Sequence, residues 1–89
     1  MNTTETNPTG EISRRIRAGM VLAGKKRAEL RTALAPATPN KRPMAESPLT
    51  RRLAGEHTWD IHELAIVATF LGTTLTELTR DADLDQTND

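Results

Sequence analysis

Apolar positions in this chain recur at helical intervals, and no stretch makes a convincing strand. Ile12, Ile16, Met20 and Ala23 follow one another at four, four and three residues, which puts them on one helix face. Thr9 or Gly10 opens this first helix, Glu11 sits favourably in its first turn, and Gly24 ends it. Val21 and Leu22 fall off the stripe and are expected to pack under a later segment in preference to forming an interface. A second, short helix is predicted from Lys25 to Ala35, with Ala28, Leu30, Ala33 and Leu34 as its apolar face. From Pro36 to Pro43, three prolines in eight residues exclude a helix and predict an extended, fairly stiff loop with an exposed Lys41-Arg42 pair.

Ser47 to Gly55 reads as a third helix of about two turns, with Ser47 as cap, Pro48 at the first helical position and Gly55 past the end. Leu49 and Leu53 share its back, while Ser47, Arg51 and Ala54 point the other way with Thr50 beside them. Glu56 to Trp59 forms a turn. Asp60 then caps a fourth helix, and Glu63 completes a capping box. Trp59 and Leu64 suit a hydrophobic staple. Ile61, Leu64, Ala65, Ala68 and Leu71 make the core stripe, widened by Val67 and Phe70, and Gly72 stops the helix. Thr74 to Leu78 starts a short fifth helix with a Thr-x-x-Glu cap and Leu75 and Leu78 inward. Residues 1–10 read as a disordered arm and 81–89 as an acidic, flexible tail, leaving a single domain over 11–80 with a loop insertion at 36–45.

Charge changes the picture. The chain is neutral overall, but Ile12 to Gly55 holds eleven bases against two acids, and Glu56 to Asp89 holds eight acids against one base. Sign segregation on that scale implies a cationic working surface and an anionic remainder. The cations Lys25, Lys26 and Arg27 open the second helix without a Ser, Thr, Asp or Asn cap, against the helix dipole. That start makes sense if it meets a phosphate.

Other classes find little support. There is no cysteine, and His57 and His62 are five apart, so a metal site is not expected. Glu63 is explained by capping, no glycine-rich phosphate loop is present, and no catalytic residue or cofactor is assigned. Trp59 and Phe70 are the only aromatic residues, too few for a single-strand stacking platform. No apolar run approaches membrane-spanning length and no signal-peptide pattern opens the chain, which predicts a cytoplasmic protein without membrane partners.

Several runs resemble a family. Leu49-Thr50-Arg51-Arg52-Leu53-Ala54-Gly55-Glu56, Trp59-Asp60-Ile61-His62-Glu63-Leu64, and Leu71-Gly72-Thr73-Thr74-Leu75-Thr76-Glu77-Leu78 are similar to the Cro/C1-type (XRE-like) helix-turn-helix domains of phages and bacteria, especially actinobacterial and actinophage Cro-like repressors. Ile12, Arg17, Met20 and Gly24 resemble the family's first helix, and Arg27-Ala28-Glu29-Leu30 its second. The resemblance implies an all-α, five-helix fold, into which this chain sets a long Pro-rich loop between helices 2 and 3. It also implies a DNA-binding transcription regulator, a nucleoid-associated repressor in a bacterial cytoplasm. Two departures stand out. The family's usual Gln near the start of the second helix is Arg27 here, and Ala35 to Glu46 inserts about eight residues into a turn normally three or four long. Such an insertion predicts a loose tie between the two helices, with Lys41-Arg42 compensating on the DNA backbone.

The resemblance places the start of the third helix at base edges in the major groove. Carried onto this chain, base readout falls to Glu46, Ser47, Thr50 and Arg51. Phosphate contacts fall to Arg17, Lys26, Arg27, Lys41, Arg42 and Arg52, with stem packing a further role for Arg52. The expected partner is a double-stranded DNA operator, bound as a homodimer or as a monomer, without a small-molecule ligand. The chain's end soon after the fifth helix favours a minimal Cro-like protein over a repressor with a second domain. Two other readings use the same scaffold. One is a protein-binding module (an antitoxin or an inhibitor) in which Val21, Leu22 and the acidic tail matter most. The other is a DNA-bending recombination directionality factor.

Overall fold

The structure, a computed structural model, describes residues 8–80. Of the arm predicted over residues 1–10, residues 1–7 lie outside the described residues, as does the acidic tail, while residues 8–10 belong to the first helix. The fold is all-α. Five helices follow one another as α1 (Pro8–Ala23), α2 (Arg27–Ala33), α3 (Glu46–Leu53), α4 (Ile61–Leu71) and α5 (Leu75–Thr79), with a 3-10 turn at Ala35–Ala37. The first helix begins at Pro8, one or two residues earlier than expected.

One core joins them. α1 contributes Ile12, Ile16 and Met20, spaced at four residues so that they share a face. Leu30 and Leu34 come from α2 and its end, Leu49 and Leu53 from α3, Leu64, Val67 and Ala68 from α4, and Leu78 from α5. Met44 and Trp59 enter from the connections. α1 packs against α3, α4 and α5, and α2 packs against α4. Burial of this apolar surface is the main favourable term, worth about 1.5–3 kcal/mol for each fully buried large side chain.

Three sequence expectations about packing are corrected. Val21 and Leu22 do not pack under a later segment. They are 81% and 88% exposed, because Ile12, Ile16 and Met20 fix the inward direction of α1 and both residues point well over 90° away from it. Ala23 is exposed too. On α4, Ile61 is 66% exposed and Ala65 is exposed, whereas Glu63 is buried. The buried face of α4 is therefore turned toward Glu63 and Val67 and away from Ile61 and Ala65.

α3 does not start at Ser47. It starts at Glu46, with Ala45 as the N-cap and no side-chain cap bond, so Ser47 and Pro48 both lie in the first turn. Pro48 is tolerated there because first-turn N–H groups have no helical acceptor. The end is as expected. Glu56 N–H donates to Arg51 O at 2.9 Å and Gly55 N–H to Arg52 O at 3.1 Å, a Schellman closure. Gly55 has φ +81, and a Cβ there would stand 3.0 Å from the Gly10 Cα, so two separate constraints demand glycine.

The segment after α2 also differs from expectation. It is compact instead of extended. Pro36 is the second residue of the 3-10 turn, in its first turn, where its missing N–H costs nothing, and the chain then folds around the buried Thr38. The Thr38 hydroxyl accepts from the Arg42 N–H at 3.1 Å and lies within 2.9 Å of Ala35 O and 2.8 Å of Arg42 O. Lys41 takes φ +58 at the tip. Thr38→Val keeps the shape but leaves these groups without the hydroxyl. It is expected to cost about 1–2 kcal/mol in denaturant unfolding, with faster amide exchange at Arg42.

The loop ends where it began. Met44 N–H donates to Arg31 O at 3.0 Å, and the Arg31 Nε–H donates back to Met44 O at 2.6 Å. The expected looseness between α2 and α3 is therefore absent: Met44 is pinned to α2 two residues before α3 begins.

Candidate nucleic-acid interface

α3 closes the basic segment of the sequence. Leu49 and Leu53 are buried, while Glu46, Ser47, Thr50 and Arg51 are all exposed. The amphipathic pattern therefore resolves into an inward back and a polar front, as about 100° per residue requires.

That front is built together with α2. The Arg27 guanidinium donates to the Thr50 hydroxyl and reaches Glu46 Oε1 at 3.4 Å. Arg31 approaches Glu46 Oε2 at 3.9 Å. Glu46 thus lies between two cations of the preceding helix, and α3 has a charged strut as well as the Arg31–Met44 pairing. The start of α2 is held by Glu29, whose carboxylate accepts the Lys26 N–H at 2.7 Å. A capping carboxylate three residues into the helix offsets the cations that open it.

α1 supports the other end of α3. Arg17 donates to Leu53 O, one of the last carbonyls of α3, and with Arg27, Thr50, Leu53 and Ala54 it lines a shallow cleft of about 340 Å³. Ser13 is fully buried; its hydroxyl donates to Arg52 O and accepts the Trp59 indole N–H at 3.0 Å. Sequence reasoning assigned nothing to Ser13 or Arg31. Ser13 lies about 60° from the centre of the Ile12–Ile16–Met20 stripe, so a helical wheel already marks it as half-inward.

The remaining cations divide into two groups. Arg52 turns inward: its Nε–H donates to Glu63 Oε1 at 3.1 Å and its Nη1 to Pro48 O at 3.3 Å. Both partners are largely buried, so this guanidinium serves packing. Lys25 leaves the α2 start and lies 5.2 Å from the Phe70 ring centroid, a cation–π contact. Lys26, Lys41, Arg42 and Arg51 stay exposed. Lys41 Nζ donates to Pro36 O at 3.1 Å. The Arg42 and Arg51 guanidiniums have no acid or carbonyl partner among the described residues, and both remain available to an external anion.

His57 is a turn residue, its Nδ1 2.9 Å from Thr58 O, and His62 faces solvent. Glu63 serves the capping box: it accepts the Asp60 N–H at 3.0 Å while Asp60 accepts the Glu63 N–H at 2.8 Å. Among the described residues no helix is long and apolar enough to cross a membrane. Comparison with protein-family models, curated proteins and solved structures returned no match to this chain.

Proposed function

We propose that this chain is a sequence-specific, double-stranded DNA-binding transcriptional regulator of the Cro/C1 helix-turn-helix kind, a Cro-like repressor that reads the major groove with α3. The observation that carries the reading is the front of α3: four polar, exposed residues over a buried leucine pair, on a helix fixed from both ends. A helix must be both rigid and polar-faced to hold donors and acceptors against base edges. In this reading Arg51 is bidentate to a guanine, Glu46 accepts from a cytosine amine, and Ser47 and Thr50 bond either a base edge or a phosphate. Lys26, Lys41 and Arg42, with the exposed parts of Arg17 and Arg27, meet the phosphates. Arg52 is left out because Glu63 already holds it.

The test is an electrophoretic shift on duplexes selected from a random library, repeated across a salt series. Lys41→Ala is expected to weaken all sequences alike and to reduce the salt slope by about one. Absence of any salt-dependent duplex binding would remove both this reading and the DNA-bending one. The exposed Val21 and Leu22 favour a second reading, a protein-binding module, which that absence would leave standing.

A further inference from the structure

The basic segment from Ile12 to Gly55 contains two acids, Glu29 and Glu46. Glu29 is used within α2, where its carboxylate accepts the Lys26 N–H. Glu46 stands instead on the exposed front of α3, the surface proposed to face DNA. An uncompensated carboxylate there repels every phosphate, whatever the base sequence.

In the free protein Glu46 is compensated. The Arg27 guanidinium reaches Glu46 Oε1 at 3.4 Å, and the same nitrogen donates to the Thr50 hydroxyl. Two of the four residues proposed to read bases therefore share one cation of α2. Arg31 is the other neighbour, 3.9 Å from Glu46 Oε2, but its Nε–H is tied to Met44 O, which keeps it in place.

Arg27 is not tied in that way. Its side chain is 45% exposed, and an exposed ion pair contributes little to stability. The Arg31–Met44 pairing already fixes α3 to α2, so Arg27 can leave at small cost. Arg27 and Arg17 also line one shallow cleft, whose lining among the described residues holds no acid. A phosphate entering it meets two guanidiniums at once.

We infer that Arg27 changes partners on DNA, from Glu46 and Thr50 to a phosphate at the Arg17 cleft, and that Glu46 makes this change depend on sequence. The inference rests on the DNA-binding reading above. On an arbitrary duplex Arg27 stays where it is, because its departure bares the carboxylate against the DNA and Arg31, at 3.9 Å, replaces it only in part. Where a cytosine amine stands opposite the start of α3, it takes over as donor to Glu46, and Arg27 is released. One phosphate contact is thus made at the right sequence and withheld elsewhere. Arg27 and Glu46 form a specificity-determining pair that acts against wrong sites as well as for the right one.

The test is the salt dependence of binding to the selected duplex and to a scrambled one, read by fluorescence anisotropy. Each phosphate contact adds about 0.9 to the slope of log affinity against log salt. Glu46→Gln is expected to steepen the scrambled-duplex slope by about one and to raise scrambled-duplex affinity roughly fivefold near 0.1 M salt. Arg27→Ala should lower the slope by about one on the selected duplex alone in the unmodified chain, and on both duplexes when combined with Glu46→Gln. This cycle decides, because an independent phosphate contact by Arg27 adds the same amount in both backgrounds. Glu77→Gln, the same change of net charge placed on α5, should leave both slopes unchanged. Circular dichroism checks that each variant folds. An unchanged scrambled-duplex slope in Glu46→Gln, or an Arg27→Ala effect of equal size in both backgrounds, would overturn the proposal and leave the DNA-binding reading standing. Absence of duplex binding by the unmodified chain would overturn both.

Discussion

Glu63→Ala is expected to lower stability by about 3–5 kcal/mol, the effect of breaking a buried ion pair from one side. The carboxylate is 4% exposed and one of its oxygens serves two masters: the Arg52 Nε–H at 3.1 Å and the Asp60 N–H at 3.0 Å. Removing it leaves the Arg52 guanidinium with Pro48 O alone, and takes the Asp60 N–H acceptor from the first turn of α4. A domain of this size has roughly 5–15 kcal/mol in all, so the variant should be marginal, with a melting temperature lower by on the order of 15 °C. Glu63→Gln separates the two roles. Glutamine can still accept the Asp60 N–H in a capping box, so it restores the cap but not the counter-charge. If the ion pair dominates, Glu63→Gln should fall nearer to Glu63→Ala than to the unmodified chain in urea unfolding. Equal stability of Glu63→Gln and the unmodified chain would reduce the pair to an ordinary hydrogen bond.

Arg51→Ala should leave stability within about 0.5 kcal/mol of the unmodified chain, because the side chain is exposed and holds nothing among the described residues. On the selected DNA site it is expected to cost about 1–3 kcal/mol, a loss of roughly 5- to 150-fold in affinity, and to relax preference at one base pair. Affinity for random duplex should fall far less. Fluorescence anisotropy against the selected site and a scrambled one measures both. Unchanged affinity for the selected site would move base readout off the front of α3. Arg27→Ala offers a contrast. Its guanidinium braces Glu46 and Thr50, so its loss should blur discrimination at the positions those two residues would read.

The local grammar of the chain was largely readable. The Asp60–Glu63 box, the Thr74 cap and the glycine closure of α3 all follow from contacts within a few residues, and each formed as expected. So did the Ile12–Ile16–Met20 stripe and the separation of Leu49 and Leu53 from Glu46, Ser47, Thr50 and Arg51. What escaped depends on approach between distant segments. Glu63 reads as a cap in sequence, and its pairing with Arg52 needs α3 and α4 to meet. Arg27 reads as one more basic residue until α3 brings Thr50 beside it. Three prolines between α2 and α3 suggested an extended spacer because proline restricts its neighbours, but the buried Thr38 hydroxyl gathers that segment into a knot. Hydrophobicity alone puts Val21 and Leu22 inside, and the direction of α1 overrides it.

The Arg31–Met44 clasp has a practical consequence for anyone wishing to label or extend this protein. Both strands of the segment are fastened at its base, so what happens at its tip is mechanically insulated from α2 and α3. Pro39 and Asn40 are exposed at that tip. Lengthening a closed loop is thermodynamically mild, about 0.6 kcal/mol per doubling. A peptide epitope or a fluorophore-bearing graft inserted between Pro39 and Asn40 opens the Thr38–Arg42 bonds, at about 1–2 kcal/mol, but should ride above the clasp as a handle, leaving the helices on either side in register.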